Sequence, residues 1–395
     1  MQNFTYYSPT KYIFGKESHI KVGEEIKRIN KNNVLIVYPE IFESNGLIAS
    51  IEESLKKEEL KYNLFNKVEP NPTSDLVYQG INIAKSSKTD FILAIGGGSS
   101  IDLAKSIAIG VDYDGDFWDF YCGKEIKEAI DVGVILTIAS SGSESSPNAI
   151  ITNKKTFEKI AIESDLIRPV FSIMNPELTL TLNKFQTASG IIDIFTHCLE
   201  RYFTNTESVQ LSDRLLEGIM KTLVEIGPMA IQNSEDLSSR ENIMWAGTMA
   251  HNNIIGCDRE QDWNSHHLEH VLSAKYNCNH GVGMAVIFPA WMQYVVSRHG
   301  LDKFVQFANR VFKVEINDEN YLETANIGIE KFKKFIKKIN MPINFKELGI
   351  NDYDIDELVS LNNLNGKKTG GFYSLNEDDI REIYKIASIN NLDNI

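Results

Sequence analysis

Hydrophobic and polar positions change their periodicity part-way along the chain. Before residue 175, short apolar runs rich in β-branched residues alternate with stretches whose apolar residues recur every three or four positions. The predicted strands lie at residues 33–38, 62–65, 90–95, 132–138, 149–152, 159–162 and 170–174, and the first long helices at 45–58 and 74–87. Such alternation is typical of an open, mainly parallel sheet with helices on both faces.

From about residue 184 onward, apolar residues recur at helical spacing and no strong strand pattern remains. We therefore predict two domains, an α/β domain at residues 1–182 and an all-α domain at residues 183–395. A chain of 395 residues is long enough to form two hydrophobic cores.

Charge and cysteine usage narrow the possible partners. The formal net charge of −14 argues against nucleic acid or an anionic membrane surface as a partner. The first residues lack the pattern of a signal peptide, and no run approaches the roughly 20 apolar residues of a membrane helix. Four dispersed cysteines form no CxxC pair, which suits a reducing compartment. We expect a cytoplasmic protein with no nucleic-acid or membrane partner.

A glycine-rich turn joins the strand at 90–95 to a following helix. Gly96, Gly97 and Gly98 have no Cβ, so the backbone there can approach a phosphate closely, and Ser99 stands where the helix begins. The spacing matches neither the GxGxxG fingerprint nor a P-loop. A tight turn with a capping serine is the alternative interpretation, and we favour phosphate binding over it.

A second loop of small and hydroxyl residues follows the strand at 132–138. At the carboxyl end of a neighbouring strand, such a loop can hold the other side of a pyrophosphate. Without the glycine turn, a solvated turn would be the better interpretation. The candidate cofactor contacts here are Thr137, Ser140, Ser141 and Ser143.

The second half of the chain carries a pattern typical of metal ligands. Asp193 and His197 are four residues apart, so both project from one helical face, and His266 and His270 repeat this spacing. His280 lies in a turn before the next helix. One carboxylate and several imidazoles suit Fe²⁺ or Zn²⁺ better than Ca²⁺ or Mg²⁺.

Two other interpretations of these residues remain open. Any single histidine can be a hydrogen-bonded core or surface residue, and this is favoured for His267, which points about 100° away from His266 around the helix. Cys198, Cys257 and Cys278 could bind zinc through sulfur, although they lack the paired spacing of structural zinc sites.

At these residues the sequence resembles the iron-containing (group III) alcohol dehydrogenases, closest to their butanol dehydrogenase and broad-range NADPH aldehyde reductase branch. The GGGSxxD motif of that family matches Gly96 to Asp102, which adds Asp102 to the cofactor contacts. The metal ligands of the family match Asp193, His197, His266 and His280. The resemblance also implies a dehydroquinate synthase-like α/β domain, and it places Lys159 beside the nicotinamide. The residues alone would favour an edge-strand lysine at that position.

The resemblance implies an NAD(P)-linked, metal-dependent enzyme that interconverts short-chain primary alcohols and aldehydes by hydride transfer. His270 would pass a proton between substrate and water, with a structural role as the alternative. We expect a homodimer whose partners are small alcohol or aldehyde substrates. A dehydroquinate synthase-like lyase or cyclase with transient NAD is the alternative, and a non-catalytic binding protein is a third possibility. Few basic residues flank the metal helices, which disfavours the phosphorylated substrates of such a lyase.

The turn after the first long strand bears on the choice of nucleotide. Pro39 has no N–H to donate to a 2′-phosphate, and Glu40 would repel a phosphate if it faced the ribose. The resembling branch favours NADP(H), whereas these two residues argue against it. Because the rest of the chain follows that branch, we expect NADP(H) in preference to NAD(H).

Overall fold

A computed structural model describes residues 1–392, and the chain forms two compact units. The α/β unit comprises Tyr7–Leu182 and Arg240–Thr248, and the helical unit comprises Met1–Tyr6, Asn183–Ser239 and residues 249–392.

The α/β unit is built around a parallel six-stranded sheet. Its strands are β1 (Lys11–Phe14), β2 (Asn33–Val37), β3 (Lys61–Phe65), β4 (Phe91–Gly96), β5 (Asp131–Leu136) and β8 (Phe171–Met174), in the order β1-β8-β5-β4-β2-β3. Strands β6 (Asn148–Asn153) and β7 (Glu158–Glu163) form a separate antiparallel pair. The helices are α1 (Val22–Arg28), α2 (Leu47–Lys57), α3 (Ser74–Ser87), α4 (Gly98–Val111) and α5 (Trp118–Tyr121).

Alternate residues of each central strand serve two different cores. Val34 and Ile36 of β2 pack with α1 and α2, whereas Leu35 and Val37 pack with α3 and α4. Side chains on a strand alternate between its faces, so a fully apolar strand needs a helical layer on each side. The predicted mainly parallel sheet with helices on both faces is confirmed.

The described chain after residue 183 forms α-helices joined by loops, confirming the predicted all-α region. They are α6 (Lys184–Tyr202), α7 (Gln210–Gln232), α8 (Leu237–His251), α9 (Asn264–Tyr276), α10 (His280–Val295), α11 (Leu301–Phe312), α12 (Tyr321–Lys338), α13 (Phe345–Leu348), α14 (Ile355–Leu361) and α15 (Glu377–Ile389). Among residues 1–392, no helix has both the length and the apolar character needed to span a membrane.

The division into units differs from the predicted domains 1–182 and 183–395 in two short segments. Residues of α8 from Arg240 to Thr248 group with the α/β unit. Trp245 packs edge-on against Tyr12, with ring centroids 5.7 Å apart, and the Thr248 hydroxyl donates to Glu144 at 2.6 Å. The first six residues group with the helical unit, where the Gln2 amide donates to the Asp258 carbonyl. Contacts between residues distant in sequence decide both assignments.

Candidate active site

Three helices of the helical unit carry the predicted metal ligands. Asp193 and His197 lie four residues apart on α6, His266 is in the first turn of α9, and His280 is the first residue of α10. The Ser189 hydroxyl on α6 donates to the Asn279 side chain and so ties the start of α10 to α6. Asp193, His197 and His266 are each at most 5% exposed.

Asp193, His266 and His280 offer ligand atoms that all lie within 4.8 Å of one another. His280 Nε2 is 3.5 Å from Asp193 Oδ1, and the His197 Nε2 atom is 3.7 Å from the same oxygen. His197 is not a member of the close group, and its ring stacks on the His266 ring at 5.0 Å. Three predicted ligands therefore converge, and the fourth lies at the edge of the cluster.

Two buried glutamates orient the converging histidines. Glu200 Oε1 accepts a hydrogen bond from His266 Nδ1 at 2.7 Å, and Glu269 accepts one from His280 Nδ1. A ligand histidine that donates one ring N–H to a carboxylate presents the other nitrogen to the metal in a fixed direction. Burial raises the pKa of Glu200 to about 8. Sequence reasoning missed both glutamates, although each follows a predicted ligand histidine by three residues on the same helix.

The donor set fits a divalent transition metal. His266 Nε2 is buried and has no hydrogen-bond partner within residues 1–392, although it lies beside a carboxylate and a second imidazole. Burial lowers the pKa of both His197 and His266 well below its ordinary value, so these rings are neutral, as ligation requires. Imidazole nitrogens with one carboxylate oxygen are ligands that suit Fe²⁺ and Zn²⁺.

Neither a second group of close ligand atoms nor a cysteine-ligated zinc site is favoured as the metal centre. Glu269, His270 and His280 form a second close group, but the Glu269 bond to His280 Nδ1 gives that carboxylate an orienting role. His270 is half-buried, with its ring 5.6 Å from that of His280. In the part of the chain that the structure describes, neither group of potential ligands includes a cysteine, so the sulfur-ligated alternative gains no support.

In the α/β unit, the glycine turn lies at the carboxyl end of β4. Gly96 has a φ of 146°, which glycine adopts far more readily than other residues. A Cβ on Gly98 would meet the Ser141 hydroxyl at 2.5 Å, so the two predicted loops touch. The Thr137 amide donates to the Gly96 carbonyl at 2.9 Å, and the buried Thr137 hydroxyl has no partner among the described residues. Ser99 and Ser140 are half-buried on these loops.

Asp102 and Ser143 face inward and bond to each other. Ser143 Oγ donates to Asp102 Oδ1 at 2.6 Å, and the Ile150 amide donates to Asp102 Oδ2 at 3.3 Å. The fully buried Lys105, which sequence reasoning missed, donates to the carbonyls of Ser143, Ser146 and Asn148 at 2.7–2.9 Å. Burial raises the pKa of Asp102 and lowers that of Lys105 to about 8. This network joins α4 to the loop after β5.

The remaining predicted cofactor residues lie on nearby segments of the α/β unit. Lys159 on β7 donates a hydrogen bond to Asn71 at 3.3 Å. Its positive charge partly offsets the rise in the pKa of Asp102 that burial causes. Pro39 is close to the glycine turn, because a Cβ on Gly96 would lie 3.8 Å from its ring. Glu40 is exposed and begins a 3-10 helix, Glu40–Glu43.

Glu43, which sequence reasoning overlooked, is held at the ends of β2 and β3. Its Oε1 accepts hydrogen bonds from the Tyr38 hydroxyl at 3.0 Å and from Asn66 Nδ2 at 2.7 Å. The carboxyl ends of parallel strands are where nucleotides bind in open α/β sheets. A carboxylate anchored there is a second candidate for contact with the ribose.

Comparison with known families covers nearly the whole chain. Residues 9–176 match the iron-containing alcohol dehydrogenases, and residues 187–388 match the C-terminal region of the Fe-containing alcohol dehydrogenase family. The chain belongs to the iron-containing alcohol dehydrogenase family. The membership predicted from the motifs is confirmed.

Several members of this family align with the chain over nearly their full length. NADH-dependent butanol dehydrogenase A of Clostridium acetobutylicum is 36% identical over 98% of this chain and 99% of its own. The NADPH-dependent aldehyde reductase YqhD of Escherichia coli is 32% identical over 98% and 100%. The crystal structure of NADH-dependent butanol dehydrogenase A from Thermotoga maritima has a TM-score of 0.94 at 36% identity, covering 98% and 99%. These relatives favour the dehydrogenase over the lyase interpretation.

Proposed function

We propose that this chain is a divalent metal-dependent, NAD(P)-linked alcohol dehydrogenase or aldehyde reductase acting on short-chain primary alcohols and aldehydes. The observation that carries the proposal is the convergence of ligand atoms from Asp193, His266 and His280 around the unpartnered His266 Nε2. We include His197 as the fourth ligand, because its Nε2 lies 3.7 Å from Asp193 Oδ1.

The protein contributes position and electrostatics to this chemistry. When bound, Fe²⁺ or Zn²⁺ supplies a Lewis acid for the substrate oxygen, and the nicotinamide supplies the hydride. Glu200 and Glu269 hold the rings of His266 and His280 by accepting hydrogen bonds from their Nδ1–H groups. Neutral imidazoles and a single ligand carboxylate would offset only part of the charge of a bound divalent ion, and the remaining positive charge would favour an alkoxide over an alcohol.

We assign His270 the role of handing a proton to or from the substrate oxygen. It lies one helical turn after His266 on α9, beside the ring of His280, and is half-buried. A half-buried imidazole can exchange protons with solvent, whereas the buried ligand histidines are shielded from it.

For the nucleotide, we assign phosphate contacts to the turn of Gly96, Gly97, Gly98 and Ser99 and to the loop of Thr137, Ser140 and Ser141. Lys159 would face the nicotinamide end, whereas Asp102 would hold the loop after β5 in place through Ser143 and the Ile150 amide. The resemblance favoured NADP(H), but the anchored Glu43 carboxylate would oppose a 2′-phosphate and accept bonds from free ribose hydroxyls. Relatives of 34–37% identity are described as NADH-dependent. We therefore revise that expectation and propose NAD(H).

Steady-state assays test the function. Purified protein reconstituted with Fe²⁺ or Zn²⁺ should reduce a panel of short aldehydes, oxidise the matching primary alcohols and favour NADH over NADPH. Turnover on a phosphorylated sugar acid without net cofactor oxidation, beside inactivity on the whole panel, would instead support the lyase. A higher kcat/KM with NADPH would restore the original expectation.

We also propose that the enzyme is a cytoplasmic homodimer. Its four cysteines are free thiols, which accords with a reducing compartment. The dimer is expected from the family. Sedimentation equilibrium of the purified chain should give twice the mass of 44.7 kDa, and a monomer mass would contradict the proposal.

A further inference from the structure

His197 differs from the other two histidines of the candidate metal centre in how its ring is held. His266 and His280 each donate Nδ1 to a buried glutamate. His197 Nδ1 is buried, and no group among residues 1–392 hydrogen-bonds to it. Because the second ring nitrogen of a ligand histidine ordinarily fixes its orientation, something else must orient this imidazole.

Two imidazole rings stack on the His197 imidazole. The centroid of the His251 ring lies 4.3 Å away at an interplanar angle of 30°, and that of the His266 ring lies 5.0 Å away at 14°. The Trp263 indole stands edge-on to both His197 and His251, 5.9 Å from the first and 5.8 Å from the second. An imidazole stacked in this way cannot rotate about its Cβ–Cγ bond without displacing a neighbouring ring.

Arg201 contacts three residues of this group of rings, namely His197, His251 and Trp263. Its guanidinium donates to the His197 carbonyl at 2.9 Å and to His251 Nδ1 at 3.1 Å, and it lies over the Trp263 ring at 4.8 Å. A guanidinium only donates, so His251 Nδ1 is an acceptor and the ring proton of His251 is on Nε2. Arg201 is 2% exposed, so this geometry is held within the packed interior.

We propose that Arg201 and His251 are positioning residues for the metal ligand His197. They replace, by ring stacking and a buried guanidinium, the carboxylate that orients each of the other two histidines. The inference rests on the proposed metal function. It predicts that metal affinity and coordination geometry depend on His251, although this residue lies outside both close groups of potential ligands.

Binding of Co²⁺ to the metal-free, full-length protein tests the proposal. Co²⁺ affinity is measured by competition with a chelator, and the visible absorption bands of the bound ion report its coordination geometry. His251→Ala should weaken Co²⁺ binding by about 10-fold and shift the bands, because loss of an outer partner typically costs 10–100-fold. His251→Phe keeps a flat ring beside His197 and should recover most of the affinity.

A matched control and a volume-filling variant complete the test. His267→Ala removes an exposed histidine from the same ligand-bearing helix and should leave affinity and spectrum unchanged. If His251→Ala does not fold, His251→Leu decides, since it fills space without a flat ring or an acceptor. Wild-type affinity and spectrum in the folded variant would overturn the inference alone. Failure of the wild-type protein to bind Co²⁺ would overturn the metal function and the inference with it.

Discussion

The network of Asp102, Lys105 and Ser143 in the α/β unit and the candidate metal centre differ in how far their buried polar atoms are hydrogen-bonded. In the α/β unit, Asp102, Lys105 and Ser143 are buried and bond to one another and to nearby carbonyls and amides. In the helical unit, His266 Nε2 is buried without a hydrogen-bond partner among the described residues and lies on the side of the ring away from Glu200. The first arrangement is complete as it stands, whereas the second leaves a desolvation cost that a bound cation would offset.

This difference indicates that the polar network of the α/β unit supports the loops, whereas the histidine cluster of the helical unit binds a ligand. A polar network that satisfies itself holds the loops in shape before any nucleotide arrives. Neutral imidazoles and a carboxylate that point at one another are favourable chiefly when a metal lies between them. Metal should therefore stabilise the helical unit by mass action.

The largest expected effect is removal of a ligand. His266→Ala and His280→Ala should each lose the metal and lower kcat/KM by about 1,000-fold, because Lewis-acid stabilisation is worth several kcal/mol. Metal analysis and kinetics of both variants provide the measurement, with His299→Ala as a control histidine in the same unit. Full metal occupancy with wild-type activity in both would exclude the proposed ligand set.

The next largest effect is expected from disrupting the hydrogen-bond network of Asp102, Lys105 and Ser143. Lys105→Met should lower the free energy of unfolding by about 3 kcal/mol, since several buried carbonyls lose their donor. Urea unfolding provides the measurement, and Lys127→Met, at an exposed lysine, is the control. A loss equal to that of the control would show that the network contributes nothing to stability.

The pH dependence of the same variant sharpens the comparison. Burial lowers the pKa of Lys105 from 10.5 to about 8. Between pH 8 and pH 10.5 this lysine is protonated in the unfolded chain but largely neutral in the folded protein, so it makes the free energy of unfolding rise with pH. Below about pH 8 the lysine is charged in both states, and the full cost of burying that charge opposes folding. Lys105→Met should therefore show a shallower rise than the wild type over this range. Identical slopes would contradict the shifted pKa.

Smaller effects are expected from the orienting carboxylates. Glu269→Gln keeps the size of the side chain but weakens its bond to His280, so metal affinity should fall by roughly 10–100-fold. Chelator competition measures this change, and Glu323→Gln, at an exposed position of α12, is the control. Unchanged affinity would mean that Glu269 only fills space.

The smallest effect concerns the nucleotide. Glu43→Ser should improve NADPH relative to NADH by about 1–2 kcal/mol, roughly tenfold, because an anchored negative charge is removed. Glu40→Ser is the matched variant. Both carboxylates are exposed, but that of Glu43 is held by Tyr38 and Asn66, so we expect less change from Glu40→Ser. The ratio of kcat/KM values for the two nucleotides decides. A shift in Glu40→Ser alone would assign the choice to Glu40, and no shift in either would place it elsewhere.

Much of the candidate site was visible as local spacing. Asp193 and His197 share a helical face because they are four residues apart, and the glycine turn follows a strand that is apolar throughout. Glu200 and Glu269 could have been noticed, since each follows a predicted ligand by three residues. Nothing local indicated that Glu200 would bond to His266, which is 66 positions away.

The sequence by itself determined the α/β and helical regions, the family and the residues able to bind metal, because periodicity and short spacings act within one element. Only the tertiary structure decided which donor atoms converge, that His197 stands at the edge of their group, and that Arg201 and His251 pack around it. It also decided that Asp102 and Ser143 hydrogen-bond to each other and that Glu43 is anchored to Tyr38 and Asn66 at the ends of β2 and β3. These outcomes depend on contacts between separate elements, and such contacts exist only after the chain has packed.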